Sequence, residues 1–225
     1  MDQLSSFQQT SFYEYITFVA SSMLFSVLFF IGITHYNHVT HEFIFPINLY
    51  SLSTGVVVFG FIIFFLISHI YGQTISAVSE KVIGKPLKWL NKKIFKHPDF
   101  KGSFSNITTI IDTTNCLPDN KKNNKWTIVY YILSKNKEVG TDLLRRYARE
   151  KVSRVNSMNF LILLLISIFA KFTTLIQIEN CTSIFEYWTT TIVFFILFLT
   201  SCYEYFQRKC WNSDLLIKTA PIFLS

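Results

Sequence analysis

The chain has 225 residues, of which half are hydrophobic and 24 are Phe, and its formal net charge is +7. Four long apolar runs account for much of this apolar content and leave little for a large soluble core. The runs cover approximately residues 15–34, 49–70, 158–176 and 187–203. Each is close to the about 20 residues that a helix needs to cross a bilayer. We therefore expect an all-α membrane protein with four transmembrane helices.

The distribution of lysine and arginine predicts the topology. Of the 21 such residues, 17 lie in residues 71–157, three lie in residues 203–225, and Lys171 lies inside the third run. The loops 35–48 and 175–186 contain none. Because positively charged loops stay in the cytoplasm, we expect a multi-pass protein of the cell inner membrane with both termini in the cytoplasm.

This topology divides the chain into four parts, with a mostly helical basic cytoplasmic segment between the second and third spans. The parts are a first transmembrane pair in 1–70, the basic segment in 71–157, a second transmembrane pair in 158–203 and a cytoplasmic tail in 204–225.

The first span and the loop that follows it hold two polar patterns. Ser22 and Ser26 form a pair of small residues four apart, which permits close approach of another helix. His35, His38 and His41 follow in the first outside loop, and imidazoles this close in sequence are candidate metal ligands or groups that titrate near neutral pH. On a helix they would spread over about 120°, which suits one tetrahedral ion poorly, whereas a loop could gather them.

The stretch after the second span, residues 73–97, has apolar residues at mostly three- and four-residue spacing, with lysines between them. The pattern predicts an amphipathic basic helix, bent near Gly84 to Pro86. Such a helix can lie on an anionic inner leaflet. Alternatively, its apolar face packs on the rest of the cytoplasmic segment and its lysines are solvated. Residues 98–125 are polar and predict a loop.

A short helix is expected over residues 126–139, closed by Gly140, and Thr141 is placed to cap the next helix. From Asp142 the helical pattern meets the third span without Pro or Gly. We therefore expect one continuous helix from Asp142 to Thr174, in which roughly 33 residues extend about 50 Å.

That helix carries a basic face before it enters the bilayer. Arg145, Arg146, Arg149 and Arg154 are the candidates for binding phosphate-rich partners. The competing interpretation is a juxtamembrane cluster that contacts membrane lipid headgroups, at about 1 kcal/mol for each residue near the surface.

Lys171 is the candidate functional residue within the bilayer. A central lysine costs roughly 2.5–3.5 kcal/mol on insertion scales. Because Lys171 lies past the middle of its span, its side chain can extend to the outer interface. Alternatively, it faces a water-filled interior in a homo-oligomer.

Enzyme signatures are absent from the sequence, which has no Walker loop, no G-x-S-x-G elbow, no H-E-x-x-H and no C-x-x-C. Every Arg lies at or beyond residue 145 and every His at or before residue 97, which excludes an R-x(4–6)-H ribonuclease motif. We expect a protein that is not an enzyme and that needs no cofactor.

The basic run Leu144-Arg145-Arg146-Tyr147-Ala148-Arg149, followed by Arg154-Val155-Asn156, leads directly into a span. With the paired spans around a modest basic segment, this arrangement resembles the retron-associated transmembrane effectors of bacterial antiviral defence. Accessory membrane proteins of RNA-targeting CRISPR systems look similar in outline. The resemblance implies an inner-membrane protein restrained by a reverse transcriptase with its RNA–DNA product. Phage attack would release it to make the membrane leak and kill the cell, which is abortive infection.

Three functions remain open at this point. The leading hypothesis is a membrane effector that oligomerises and permeabilises the inner membrane, with the basic segment docking a nucleoprotein partner. The alternatives are a small channel or transporter, and a membrane anchor that recruits a soluble partner.

Overall fold

Helices make up most of the protein. The computed structural model describes residues 2–44, 53–91, 93, 129, 132–172 and 181–224. They contain the α-helices α1 (Asp2–Gly32), α2 (Thr54–Ser79), α3 (Lys85–Leu90), α4 (Lys137–Phe172) and α5 (Trp188–Leu224). Residues 129 and 132–135 are also helical. A π-helical turn, Glu80–Gly84, joins α2 to α3. The predicted helical class is confirmed, while the loop predicted over 98–125 lies outside the described residues.

Several helices are long and apolar enough to cross a membrane. Among the described residues these are Thr54–Leu90, Lys137–Phe172 and Trp188–Leu216, and a shorter apolar stretch, Thr17–Gly32, lies in α1. The described part of each predicted span thus falls mainly on an apolar helix, whereas residues 49–52 and 173–176 lie outside the described residues. The helices extend beyond the spans, because polar, helix-compatible residues continue the backbone on one side of each apolar run.

The described part of the chain forms two compact units. We call Phe18–Glu80 with Arg154–Cys202 the apolar unit, and Met1–Thr17 with Lys81–Ser153 and Tyr203–Ser225 the basic unit. The core of the apolar unit is a cluster of buried side chains: Phe160, Leu163, Leu164, Phe185 and Phe194. In the basic unit the largest fully buried side chains include Tyr205, Ile132, Leu143 and Leu216.

Helices α1 and α2 approach closely at Gly72. A Cβ at Gly72 would lie 2.7 Å from both the Cβ and the carbonyl oxygen of Phe18. The Ser22 hydroxyl, one turn along α1, lies 2.7 Å from the Ser68 carbonyl and 2.7 Å from the Phe18 carbonyl of its own helix, and its proton is shared between these acceptors. The first serine of the predicted Ser22–Ser26 pair is therefore at this helix contact. Gly72, which the sequence pattern did not single out, supplies the space.

A small antiparallel sheet connects two loops of the apolar unit. Strands β1 (His35–Asn37), β2 (Glu42–Ile44) and β3 (Cys181–Ser183) have the order β2-β1-β3. After β3, a 3₁₀ turn with a Ser183–Glu186 capping box puts Phe185 into the core. The sheet is absent from the all-α prediction, because strands of three residues are too short to show an alternating pattern.

The start of α4 differs from the prediction. The side chain of Asn136 accepts hydrogen bonds from the backbone N–H of Glu138 and Val139, both at 3.1 Å. Asn136 is thus the N-cap, and the prediction that Gly140 ends a helix and Thr141 caps the next one is wrong. Gly140 lies inside α4 because its missing side chain lets the backbone of Leu133 approach.

We expect Asn136→Ala to lower the free energy of unfolding by about 1 kcal/mol, because two backbone N–H groups lose their acceptor. Thr141→Ala should change it by less than about 0.5 kcal/mol, since the Thr141 hydroxyl only donates to the Lys137 carbonyl within the same helix. Unfolding of both variants in detergent, followed by circular dichroism, compares them. Equal losses would contradict this cap assignment.

Candidate functional site

Lys171 lies in the last turn of α4 and contacts the first turn of α5. Its ammonium group donates to the Thr191 hydroxyl and lies 3.7 Å from the centroid of the Trp188 ring. One turn earlier on α4, the Ser167 hydroxyl donates to the Phe185 carbonyl at 2.8 Å and also bonds to Thr191 at 2.8 Å. Because a hydroxyl has one proton, Thr191 must donate to Ser167. The result is a series of hydrogen bonds, each donated in the same direction, from Lys171 through Thr191 and Ser167 to the buried carbonyl of Phe185.

These hydrogen bonds hold the C-terminal end of α4 against the N-terminal end of α5. The charge of Lys171 is favourable at the C-terminus of α4, where the helix dipole is negative. Stacking on Trp188 adds a cation–π contact. Ser167 is fully buried, so this series of hydrogen bonds extends from a half-buried lysine into the core. Of the two roles predicted for Lys171, these contacts favour an interfacial anchor.

We expect Lys171→Leu to lower the free energy of unfolding in detergent by about 1 kcal/mol, because the hydrogen bond and the cation–π contact are lost. Lys171→Arg should retain most of the stability, since a guanidinium group can still stack on Trp188. The measurement is the unfolding midpoint of both variants. A destabilised Arg variant together with a stable Leu variant would exclude the anchor role.

Two of the three histidines that follow α1 bond to separate partners. His38 Nε2 bonds to the Thr182 hydroxyl at 2.8 Å, and His41 Nδ1 bonds to the Tyr36 hydroxyl at 3.1 Å. His35 is in β1, whereas the other two lie in the turn after it. Throughout the described ranges, no group of three or more His, Cys, Asp or Glu side chains could hold a metal ion. The geometry therefore gives no support to a metal site here.

The structure divides the four candidate arginines between the two units. Arg145, Arg146 and Arg149 are exposed on α4 in the basic unit. Arg146 pairs with Asp142 at 2.7 Å, and Arg145 lines a shallow groove with Glu138 and Asp142 among its other residues. Carboxylates are thus interspersed with this part of the basic face.

The buried side of α4 in the same unit carries polar residues. The Glu150 carboxylate accepts a hydrogen bond from the Asn212 amide at 2.9 Å. Burial, with a smaller contribution from Glu150, raises the pKa of the Tyr147 phenol far above its ordinary value. Tyr147 therefore stays a neutral hydroxyl. The hydrogen bond between Glu150 and Asn212 holds α4 against α5 within the basic unit.

Arg154 belongs to the apolar unit and makes an ion pair with Glu80, at the start of the π-helical turn. One of its terminal nitrogens also donates to the Ser76 carbonyl at 3.5 Å. Only 14% of the Arg154 side chain is exposed. Arg154 therefore connects α4 to the end of α2, and it is poorly placed to bind a phosphate-rich partner.

Asn159 is a functional candidate that sequence reasoning missed. Its amide nitrogen donates to the Ser21 carbonyl at 3.0 Å, and its amide oxygen accepts from the Tyr71 hydroxyl at 3.1 Å. One buried side chain thus joins α1, α2 and α4. The available signal was a lone amide just inside an apolar run, where polar side chains bind neighbouring helices.

Comparison with known proteins gives no relative from which a role could be transferred: no family model, no curated protein and no solved structure matches the chain.

Proposed function

We propose that the chain is a four-span protein of the cell inner membrane, with both termini in the cytoplasm, that assembles into a homo-oligomer and permeabilises the membrane. Its biological role would be that of an effector in bacterial antiviral defence by abortive infection. A nucleoprotein sensor, such as a reverse transcriptase with its RNA–DNA product, would hold it inactive until phage attack.

The observation that carries this proposal is the surface of α2. Large apolar side chains are exposed along this helix, from Val56 and Phe59 through Phe61 and Leu66 to Ile70. An apolar surface of this extent needs lipid or other copies of the chain to cover it. The contacts that hold α2 lie toward its other end, where Ser68 and Tyr71 bind the neighbouring helices.

This arrangement supports assembly because α2 is held at one end and is open along its apolar length. A copy of the chain can replace lipid on that face without breaking the contacts at Ser68 and Tyr71. Rearrangement of α2 between protomers is then a route to a membrane defect.

The test is membrane potential and dye entry in bacteria after induced expression. The chain is expressed alone, and also together with its neighbouring genes under phage challenge. We expect rapid depolarisation in at least one of these settings, compared with an unrelated multi-span protein expressed to the same level. Intact membranes in every setting would overturn the proposal.

A small channel or transporter is the second candidate, and the buried polar residues of the apolar unit favour it. Ser21, Ser22, Ser157, Asn159 and Ser167 are each at most 2% exposed. Such residues can line a hydrophilic path when helices separate. This function predicts ion or solute flux into vesicles without growth arrest on expression.

A further inference from the structure

The helical segment that begins the basic unit has one face formed by lysines and a tryptophan. Lys81, Lys85, Lys88 and Lys93 are exposed, and Trp89 between them is 54% exposed. The Lys93 ammonium lies 4.6 Å from the centroid of the Trp89 ring. We call these five residues the lysine–tryptophan face.

The opposite side of the same segment is buried within the protein. Ile83 and Asn91 are almost fully buried, and Gly84 is also buried. Besides Trp89, Val82 is the other large apolar side chain in 81–91 that remains exposed. A helix lying on a bilayer needs a wide apolar face to insert. The sequence allowed this stretch either to lie on an anionic leaflet or to pack its apolar face on the protein with its lysines solvated. The buried face favours packing on the protein.

The charge of the lysine–tryptophan face is not balanced by carboxylates along its own segment. Residues 81–93 contain no Asp or Glu, and the carboxylate just before them, Glu80, is paired with Arg154. The arginines of α4, in contrast, have carboxylates close by: Asp142 pairs with Arg146, and Glu138 and Asp142 line the same groove as Arg145. A polyanion is therefore attracted more strongly to the lysine–tryptophan face than to the arginines.

We propose that the lysine–tryptophan face binds single-stranded nucleic acid. The lysine ammonium groups contact successive phosphates, and an unpaired base stacks on the Trp89 ring after Lys93 moves to a phosphate. A duplex keeps its bases stacked inside, so an exposed tryptophan among lysines fits a single strand better. The inference deepens the proposed function by naming the chemistry of the partner, and it rests on that function for its biological meaning alone.

The experiment measures fluorescence anisotropy of a short labelled single-stranded oligonucleotide, DNA or RNA, with the full chain in neutral detergent. We expect saturable binding whose affinity falls with salt. Four lysine–phosphate contacts predict a slope of about −3 in log K against log salt, and Lys85→Gln with Lys88→Gln should reduce it by about 1.4. Trp89→Ala should weaken binding about tenfold, and Trp89→Phe should restore most of it, because a phenyl ring still stacks.

The matched control is Trp211→Ala with Lys218→Gln, which removes an exposed tryptophan and an exposed lysine from α5. This variant should bind like the parent. No binding, or binding that is insensitive to Trp89, would overturn the inference. Binding to nanodiscs of anionic lipid without binding to the oligonucleotide would overturn it in favour of a lipid surface. The binding assay uses the protein in detergent and does not measure permeabilisation. A lack of nucleic-acid binding can therefore be distinguished from a lack of depolarisation.

Discussion

Gly72→Ala is expected to destabilise the protein by about 1–3 kcal/mol, the range for overpacking a tight contact. A Cβ there would lie 2.7 Å from the carbonyl oxygen of Phe18 and 2.9 Å from its Cα, which is closer than van der Waals contact allows. Since the obstructing atoms include backbone, α1 must move away from α2. The hydrogen bond from Ser22 to the Ser68 carbonyl would lengthen with that movement.

Gly60→Ala is the matched control in the same helix, because nothing lies within 4 Å of a Cβ at that position. In an exposed helix alanine is more stable than glycine by roughly 1 kcal/mol, so this variant should be neutral or slightly stabilised. Unfolding of both variants in mixed micelles by a denaturing detergent gives the comparison. If the Gly72 variant were as stable as the Gly60 variant, the close approach of α1 and α2 would be wrong.

Composition and spacing predicted the helices because the relevant signals are local. Apolar runs of span length predict helices that are long enough to cross a bilayer. The uninterrupted passage of α4 from Asp142 through Met158 followed from the absence of Pro and Gly. The helical nature of α3 likewise followed from its three- and four-residue spacing.

The contacts between helices could not be predicted, since they depend on which residues meet across the fold. Gly140 illustrates the limit: a glycine near a helix end favours termination, but here the approach of Leu133 requires it inside α4. The sequence grouped Arg154 with three other arginines by spacing. Its ion pair with Glu80 joins residues that are distant along the chain.

The ion pair between Arg154 and Glu80 is expected to respond asymmetrically to mutation. Glu80→Gln leaves a mostly buried guanidinium group without this carboxylate, and we expect a loss of about 2 kcal/mol. This is less than the 3–5 kcal/mol for a fully buried pair, because half of the Glu80 side chain is exposed. Arg154→Met should cost about 1 kcal/mol, since water can solvate the Glu80 carboxylate that remains.

The double variant Glu80→Gln with Arg154→Met should be more stable than Glu80→Gln alone, because it no longer contains the mostly buried guanidinium group that lost the Glu80 carboxylate. Glu204→Gln is the control. It breaks a more exposed pair with Arg208 on α5 and should cost less than about 0.5 kcal/mol. Chemical unfolding in detergent measures all four variants. A double variant with the summed loss of the two single variants would show that the pair is not coupled.

The same variants separate a structural role of the pair from a role in permeabilisation. Arg154 and the Ser76 carbonyl hold the end of α2 that is opposite its open apolar length. If release of α2 leads to assembly, Glu80→Gln should depolarise cells faster than the parent at equal expression. The Gly72 variant weakens a different contact of α2, with α1, and should act in the same direction. Loss of stability with unchanged or slower depolarisation in both variants would mean that α2 is not the element that moves.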